Sequence, residues 1–125
     1  MTKEELTLGK IVHHNTHIWG ESYNVVMHDG YVLGNLQIDN EEPKAGCIYN
    51  ISVYESKREL GYGREMLDYL ELLAKNLNLS EVYLYVEKHS WAYYWYCRSG
   101  YEEDELRNYN YNEEPFYIIL HKILK

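Results

Sequence analysis

The apolar residues of this chain change period at Tyr62, and that change fixes more of the fold than any other feature. Met66, Leu67, Leu70, Leu73, Ala74 and Leu77 recur at helical spacing, with Arg64, Glu65, Asp68, Glu71 and Lys75 between them. The run before them, about Gly46 to Val53, and the run after them, Glu81–Val86, are rich in residues that favour extended structure. Asn78 supplies a left-handed terminator for the helix. Strand, helix and strand in this order form a βαβ unit, whose two strands must lie parallel with a right-handed crossover.

The flanking segments extend this core. Tyr23–Met27 and Tyr31–Ile38 flank Asp29-Gly30, a strong hairpin signal, and predict two antiparallel strands. Asp39–Lys44 is a polar turn. Ser90 caps a shorter helix that runs through Ser99 and closes at Gly100, with Trp91 and Trp95 four apart on one face. Tyr101 to Leu124 predicts two further strands about a turn at Asn110–Pro115, the last strand (Phe116–Leu124) lying inside the sheet. Together these give an α/β chain with a mixed, mostly antiparallel sheet of five to seven strands. A length of 125 residues fits a single domain, 1–125.

Bulk properties narrow the function. Hydrophobic residues make up 46% of the chain, which excludes disorder and collagen-like structure. Nothing approaches the roughly 18 consecutive apolar residues of a membrane span, and the start has no apolar leader, so the expected address is the cytoplasm. The formal net charge of −8 would repel phosphate, which argues against a nucleic-acid partner and favours a cationic one. Cys47 and Cys97 are too few for a disulfide framework and lack metal-ligand spacing. Asn50-Ile-Ser52 and Asn78-Leu-Ser80 match a glycosylation pattern that an unsecreted chain would not use. The 15 tyrosines against one phenylalanine suit strand faces, grooves and interfaces alike and identify no activity.

Chemistry concentrates where the third strand meets the long helix, Val53-Tyr-Glu-Ser-Lys-Arg58-Glu59-Leu60-Gly61-Tyr62-Gly63-Arg64. Two glycines one residue apart at a strand–helix junction let backbone approach a ligand closely. The first helical amides have no internal partners and carry the positive end of the helix dipole, so a pyrophosphate fits there. Lys57, Arg58 and Arg64 add positive charge in an otherwise acidic chain.

This junction resembles the signature of the GNAT superfamily of N-acetyltransferases: a Val-ended strand, here Val53, followed by Arg58-Glu-Leu-Gly61-Tyr-Gly63 opening a helix. The family's second block also has a counterpart, His89-Ser-Trp-Ala92-Tyr-Tyr-Trp-Tyr96-Cys-Arg-Ser-Gly100-Tyr101, with the Ala, Tyr and Gly positions in register. The two blocks cover roughly Ile48 to Tyr101. The resemblance implies a GNAT-like fold and acetyl-CoA as cosubstrate, with no metal. Amides of Gly61, Tyr62, Gly63 and Arg64, with neighbours back to Arg58, would bind the pyrophosphate. Backbone of Ile51 and Val53 would pair with the pantetheine arm in a V-shaped gap where the parallel strands splay apart, the Val53 amide polarising the thioester carbonyl. Tyr96 would protonate the departing sulfur. A phenol of ordinary pKa near 10 stays protonated at neutral pH and suits that role.

The sequence departs from the family in three places. His89 stands where an Asn usually helps to hold the cofactor; it can donate a hydrogen bond there, act as a base, or cap the short helix. The carboxylate base of the protein-lysine branch falls on Cys47, and Glu21, His28, Glu42 and Glu55 are candidates by location only, so no base is assigned. The two helices that usually separate the first strands are missing, a shortened N-terminal part that would leave an open acceptor groove. His13, His14 and His17 invite a zinc reading, but their surroundings predict extended structure with neighbours on opposite faces.

The expected function is acetyl transfer to an amine, with protein lysine or an N-terminus slightly ahead of small cationic amines. The alternative is a non-catalytic acyl-CoA-binding module of the same fold. Acetylation of charged tRNA is disfavoured by the negative charge. Exposed sheet edges would allow a homodimer.

Overall fold

In the computed structural model of the chain, residues 2–7, 10–110 and 117–125 are described, the side chains of 2–7 and 110 excepted. Strands β1 (Thr2–Thr7), β2 (Lys10–His17), β3 (Gly20–Met27), β4 (Val32–Asp39) and β5 (Ala45–Val53) lead into helix α1 (Tyr62–Asn76). Then follow β6 (Glu81–Glu87), α2 (Trp91–Arg98), β7 (Glu102–Glu103), α3 (Glu105–Asn110) and β8 (Tyr117–Ile123). The strands make one sheet in the order β1-β2-β3-β4-β5-β6-β8-β7. Every neighbouring pair is antiparallel except β5 and β6.

The parallel pair is the βαβ unit anticipated from the change of period. Its pairing is short, Ala45–Cys47 against Glu81–Tyr83. Past Cys47 the two strands part, so the β6-facing edge of Ile48–Val53 has no strand partner among the described residues. On its other side β5 bonds β4 with a bulge: Asn35 faces Asn50 and Leu36 faces Ile48, leaving Tyr49 as the extra residue. A bulge of this kind bends its strand and sharpens the local twist.

Alternation along the strands sends Val25, Met27, Val32, Leu36, Val82, Leu84 and Leu120 to one face, where they meet Met66, Leu67, Leu70 and Ala74 of α1. Tyr93 of α2 enters the same core. Gly34 keeps β4 close to α1, since a Cβ there would lie 2.5 Å from Met66 Sδ. Asn78, at φ 63, ends the helix as the sequence predicts.

Three features differ from the sequence reading. The sheet has eight strands because residues 2–7 and 10–17, which carry no clear helical period, form β1 and β2. The hairpin between β3 and β4 turns through His28, Asp29 and Gly30, all at positive φ, and β4 begins at Val32, one residue later than read. The first predicted C-terminal strand shrinks to Glu102–Glu103 because Asp104 starts α3, its carboxylate accepting from the Arg107 amide at 3.0 Å. The predicted turn at Asn110–Pro115 falls, from residue 111 onward, outside the described residues, as does Phe116.

Leu70 is fully buried between α1 and the sheet. Leu70→Ala is expected to lower unfolding free energy by about 2–5 kcal/mol, measured by urea titration.

Candidate active site

Between β5 and α1 the chain makes a 3-10 turn, Glu55–Lys57, and then a loop with two left-handed residues, Glu59 at φ 66 and Gly61 at φ 80. A left-handed residue followed by the right-handed start of a helix turns successive amides towards one concavity. Gly61 adopts its conformation without cost; Glu59 is strained there, a pattern that clusters at ligand sites. The first backbone bond at the mouth of α1 runs from the Glu65 amide to the Gly61 carbonyl, 3.1 Å. The amides of Glu59, Leu60, Gly61, Tyr62, Gly63 and Arg64 therefore bond to no described residue, and no side chain caps them.

Side chains around the loop are occupied elsewhere. Arg58 donates from Nε to the Val53 carbonyl at 3.3 Å, and its own amide bonds Glu55. Lys57 lies over the Tyr31 ring and Arg64 over the Trp95 ring. Glu55, Glu59 and Glu65 match the three cations in number, so side-chain charge in the loop nearly cancels. For an anion at the mouth of α1 itself, the main attraction is then the amides and the helix dipole. Gly63 sits against Trp95 and Val53, a Cβ there falling 3.7 and 3.8 Å from their side chains. The loop, the end of β5 and α2 thus converge. Ile51 and Val53 lie on β5 where it has left β6.

Helix α2 is fixed at both ends. Ser90 Oγ accepts from the Tyr93 amide at 3.1 Å, the cap read from the sequence. At the other end Lys122 donates to the Ser99 carbonyl (3.2 Å) and to Glu71 of α1 (3.1 Å). Tyr101 donates its phenol to the other Glu71 oxygen at 2.8 Å and meets the Tyr96 ring edge-on at 5.5 Å. Tyr96 is thereby wedged between Trp95 and Tyr101. Its hydroxyl makes no hydrogen bond among the described residues, and burial pushes its pKa up to about 12. The phenol keeps its proton and has no internal recipient for it.

The other predicted residues are placed as follows. His89, left-handed at φ 66 and exposed, shares a hydrogen bond with the Tyr94 hydroxyl at 2.9 Å. Glu21 pairs with His14 at 2.7 Å, and His28 pairs with Glu65 while stacking on Tyr62. Glu42 pairs with Arg107, and Glu55 is exposed in its turn. None of these four makes a hydrogen bond, ion pair or ring contact with Tyr96. Cys47 is buried opposite Tyr83 in the last parallel pair, and desolvation pushes its thiol up to about 12. His13, His14 and His17 share β2, where His14 also stacks on Tyr23.

One cluster escaped sequence reading. Arg107 binds Glu42 (2.8 Å), Glu81 (2.6 Å) and Asp104 (2.6 Å), and His121 reaches Glu81 at 3.1 Å. Burial alone would raise Glu81, but the hydrogen bonds from Arg107 and His121 outweigh it and hold the carboxyl low. Glu81, Asp104 and His121 bring ligand-type atoms within 4.8 Å of one another, and Arg107 already binds both carboxylates. Its members come from four separate stretches of chain, so no local spacing announces it.

With this geometry in place, comparison with known proteins is specific. A model of the acetyltransferase (GNAT) family matches residues 3–101. An acetyltransferase from Bacillus subtilis solved with CoA is 22% identical at a TM-score of 0.64, covering 86% of this chain and 78% of its own. A GNAT family acetyltransferase from Elizabethkingia anophelis with acetyl-CoA bound is 18% identical at a TM-score of 0.63, covering 94% and 100%. A GNAT family acetyltransferase from Staphylococcus aureus is 19% identical at a TM-score of 0.63, covering 85% and 69%. No curated protein matches in sequence. No described helix is long and apolar enough to cross a membrane.

Because the Cys47 thiol is buried and pushed up, it is expected to resist alkylation at about pH 8 while Cys97 reacts. Peptide mapping after iodoacetamide treatment checks this; modification of Cys47 in the folded protein at the rate seen in denaturant contradicts it.

Proposed function

The chain belongs to the acetyltransferase (GNAT) family, and we propose that it transfers acetyl from acetyl-CoA to an amine by direct attack on the thioester. The observation that carries this reading is the run of unpartnered amides from Glu59 to Arg64 at the mouth of α1, beside the gap where β5 and β6 part. Six donors with no internal acceptor, at the positive end of a 15-residue helix, suit a pyrophosphate. The free edge of β5 at Ile51 and Val53 suits the amides of a pantetheine arm. The fit is thus met by this chain's own groups.

Acetyl-CoA brings the activated acyl group; the protein binds, orients and supplies one proton. The Val53 amide would stabilise negative charge developing on the thioester oxygen. As the amine nitrogen bonds the acyl carbon and the C–S bond breaks, Tyr96 would give its proton to the departing CoA sulfur and regain one, through solvent, from the proton the nitrogen sheds. Cys47 has too little thiolate near neutral pH to act as an acyl carrier, which favours direct transfer over a covalent relay.

For the acceptor, the net charge of −8 favours a cationic amine. The turn Ile18-Trp19 joins β2 to β3 directly, and α1 packs on β4, β5 and β6 from one side. Leu33, pointing to the other face, is 44% exposed. That open side suits a protein lysine or N-terminus better than an enclosed small molecule. A second reading, a binding module without turnover, is favoured by one observation: Cys47 occupies the position where a carboxylate base is expected, and Glu21, His28 and Glu42 are all engaged elsewhere.

Thiol release from acetyl-CoA with a panel of peptides and polyamines separates the two: binding without turnover would sink the enzyme reading. Tyr96→Phe is expected to lower kcat about 10²-fold or more with little change in KM for acetyl-CoA. The raised pKa of Tyr96 keeps its acid form intact well above the usual tyrosine range. The wild-type rate should therefore climb as the amine loses its proton, with no falling limb near pH 10. A downturn near there would contradict the role.

A further inference from the structure

The same mouth of α1 carries an aromatic surface that none of the roles above uses. Trp91, in the first turn of α2, is 74% exposed although indole is among the most apolar of side chains. It stacks on Trp95 with ring centroids 6.2 Å apart and planes 16° from parallel. Trp95 in turn lies against Gly63, 3.7 Å from the place of a Cβ, and carries the Arg64 guanidinium 5.7 Å above its ring. One edge of this stack therefore touches two of the residues whose amides are free. The outer face of Trp91 is left open.

Aromatic faces of this kind hold nucleic-acid bases by stacking, and an arginine beside them suits a phosphate. A nucleotide whose phosphate sits at amides 61–64 is held by residues that Trp95 itself touches, Gly63 and Arg64. We propose that Trp91 and Trp95 form a shelf for the adenine of a CoA-type donor, with Arg64 beside it for a phosphate of the same nucleotide. This inference rests on the reading of Glu59–Arg64 as a pyrophosphate cradle and adds the residues that tell a nucleotide-bearing donor from a bare pantetheine phosphate. Stacking reads the face of a base and not its edge, so the shelf selects for the presence of a purine more than for its identity.

The test is calorimetric titration of wild type, Trp91→Ala and Trp91→Phe with CoA and with 4′-phosphopantetheine, which lacks the adenosine. Tryptophan fluorescence is followed in parallel. Wild type should bind CoA about tenfold or more tighter than 4′-phosphopantetheine, with fluorescence quenched by CoA alone. In Trp91→Ala the preference should fall to about twofold or less, and Trp91→Phe should recover much of it. Because Trp91 is exposed, thermal midpoints should match and exclude a folding defect. An unchanged preference in Trp91→Ala, or a wild type indifferent to adenosine, overturns the shelf while leaving the cradle standing. A wild type that binds neither ligand overturns the cradle, and the shelf with it.

Discussion

Strands β5 and β6 are paired at one end and apart at the other, and the geometry of the candidate site follows from that single constraint. Three residues on each strand bond in parallel, which is enough to fix their direction. Beyond them the strands diverge, leaving a run of β5 backbone with bonding capacity on only one side. Unsatisfied backbone groups near a protein interior are costly, so an edge of this kind is retained where something else meets its needs. The bulge at Tyr49, within the pairing of β5 with β4, bends the strand in the same region.

Helix α1 holds that opening in place. Its apolar face is sealed against the sheet through Met66, Leu67, Leu70 and Ala74, so its N-terminus cannot drift from the end of β5. Glu71, from the same helix, ties Tyr101 and Lys122 together and so fixes the end of α2 that carries Tyr96. One helix therefore aligns both the amide cluster and the phenol. The amide cluster does not depend on the positive side chains of its loop, whose number the nearby carboxylates match. Backbone amides do not titrate, and a cradle made of them holds its field across the physiological pH range.

Much of this was legible in the sequence because it rests on local patterns. Helical period located α1, the Gly61–Gly63 spacing located its mouth, and Ser90 located the cap of α2. What could not be read depends on contacts between distant stretches. The pairing of β1 with β2 lacks a turn signal of its own, and Asp104 reads equally well as a strand residue or a helix start until Arg107 is seen to donate to it. The Arg107 cluster gathers Glu42, Glu81, Asp104 and His121 from positions up to 79 residues apart, counting from Glu42 to His121. The splay of β5 from β6 is invisible in either strand alone and follows only from the family resemblance. Both strands have sound extended patterns along their whole length.

The amides of Glu59 to Arg64 can be observed one by one in a two-dimensional ¹H–¹⁵N NMR spectrum. Adding CoA should shift that contiguous set downfield, as expected of amides that gain a charged acceptor, with Ile51 and Val53 moving beside them. Saturating CoA that leaves those resonances where they were, or that moves a different part of the chain instead, would contradict a pyrophosphate cradle at the mouth of α1.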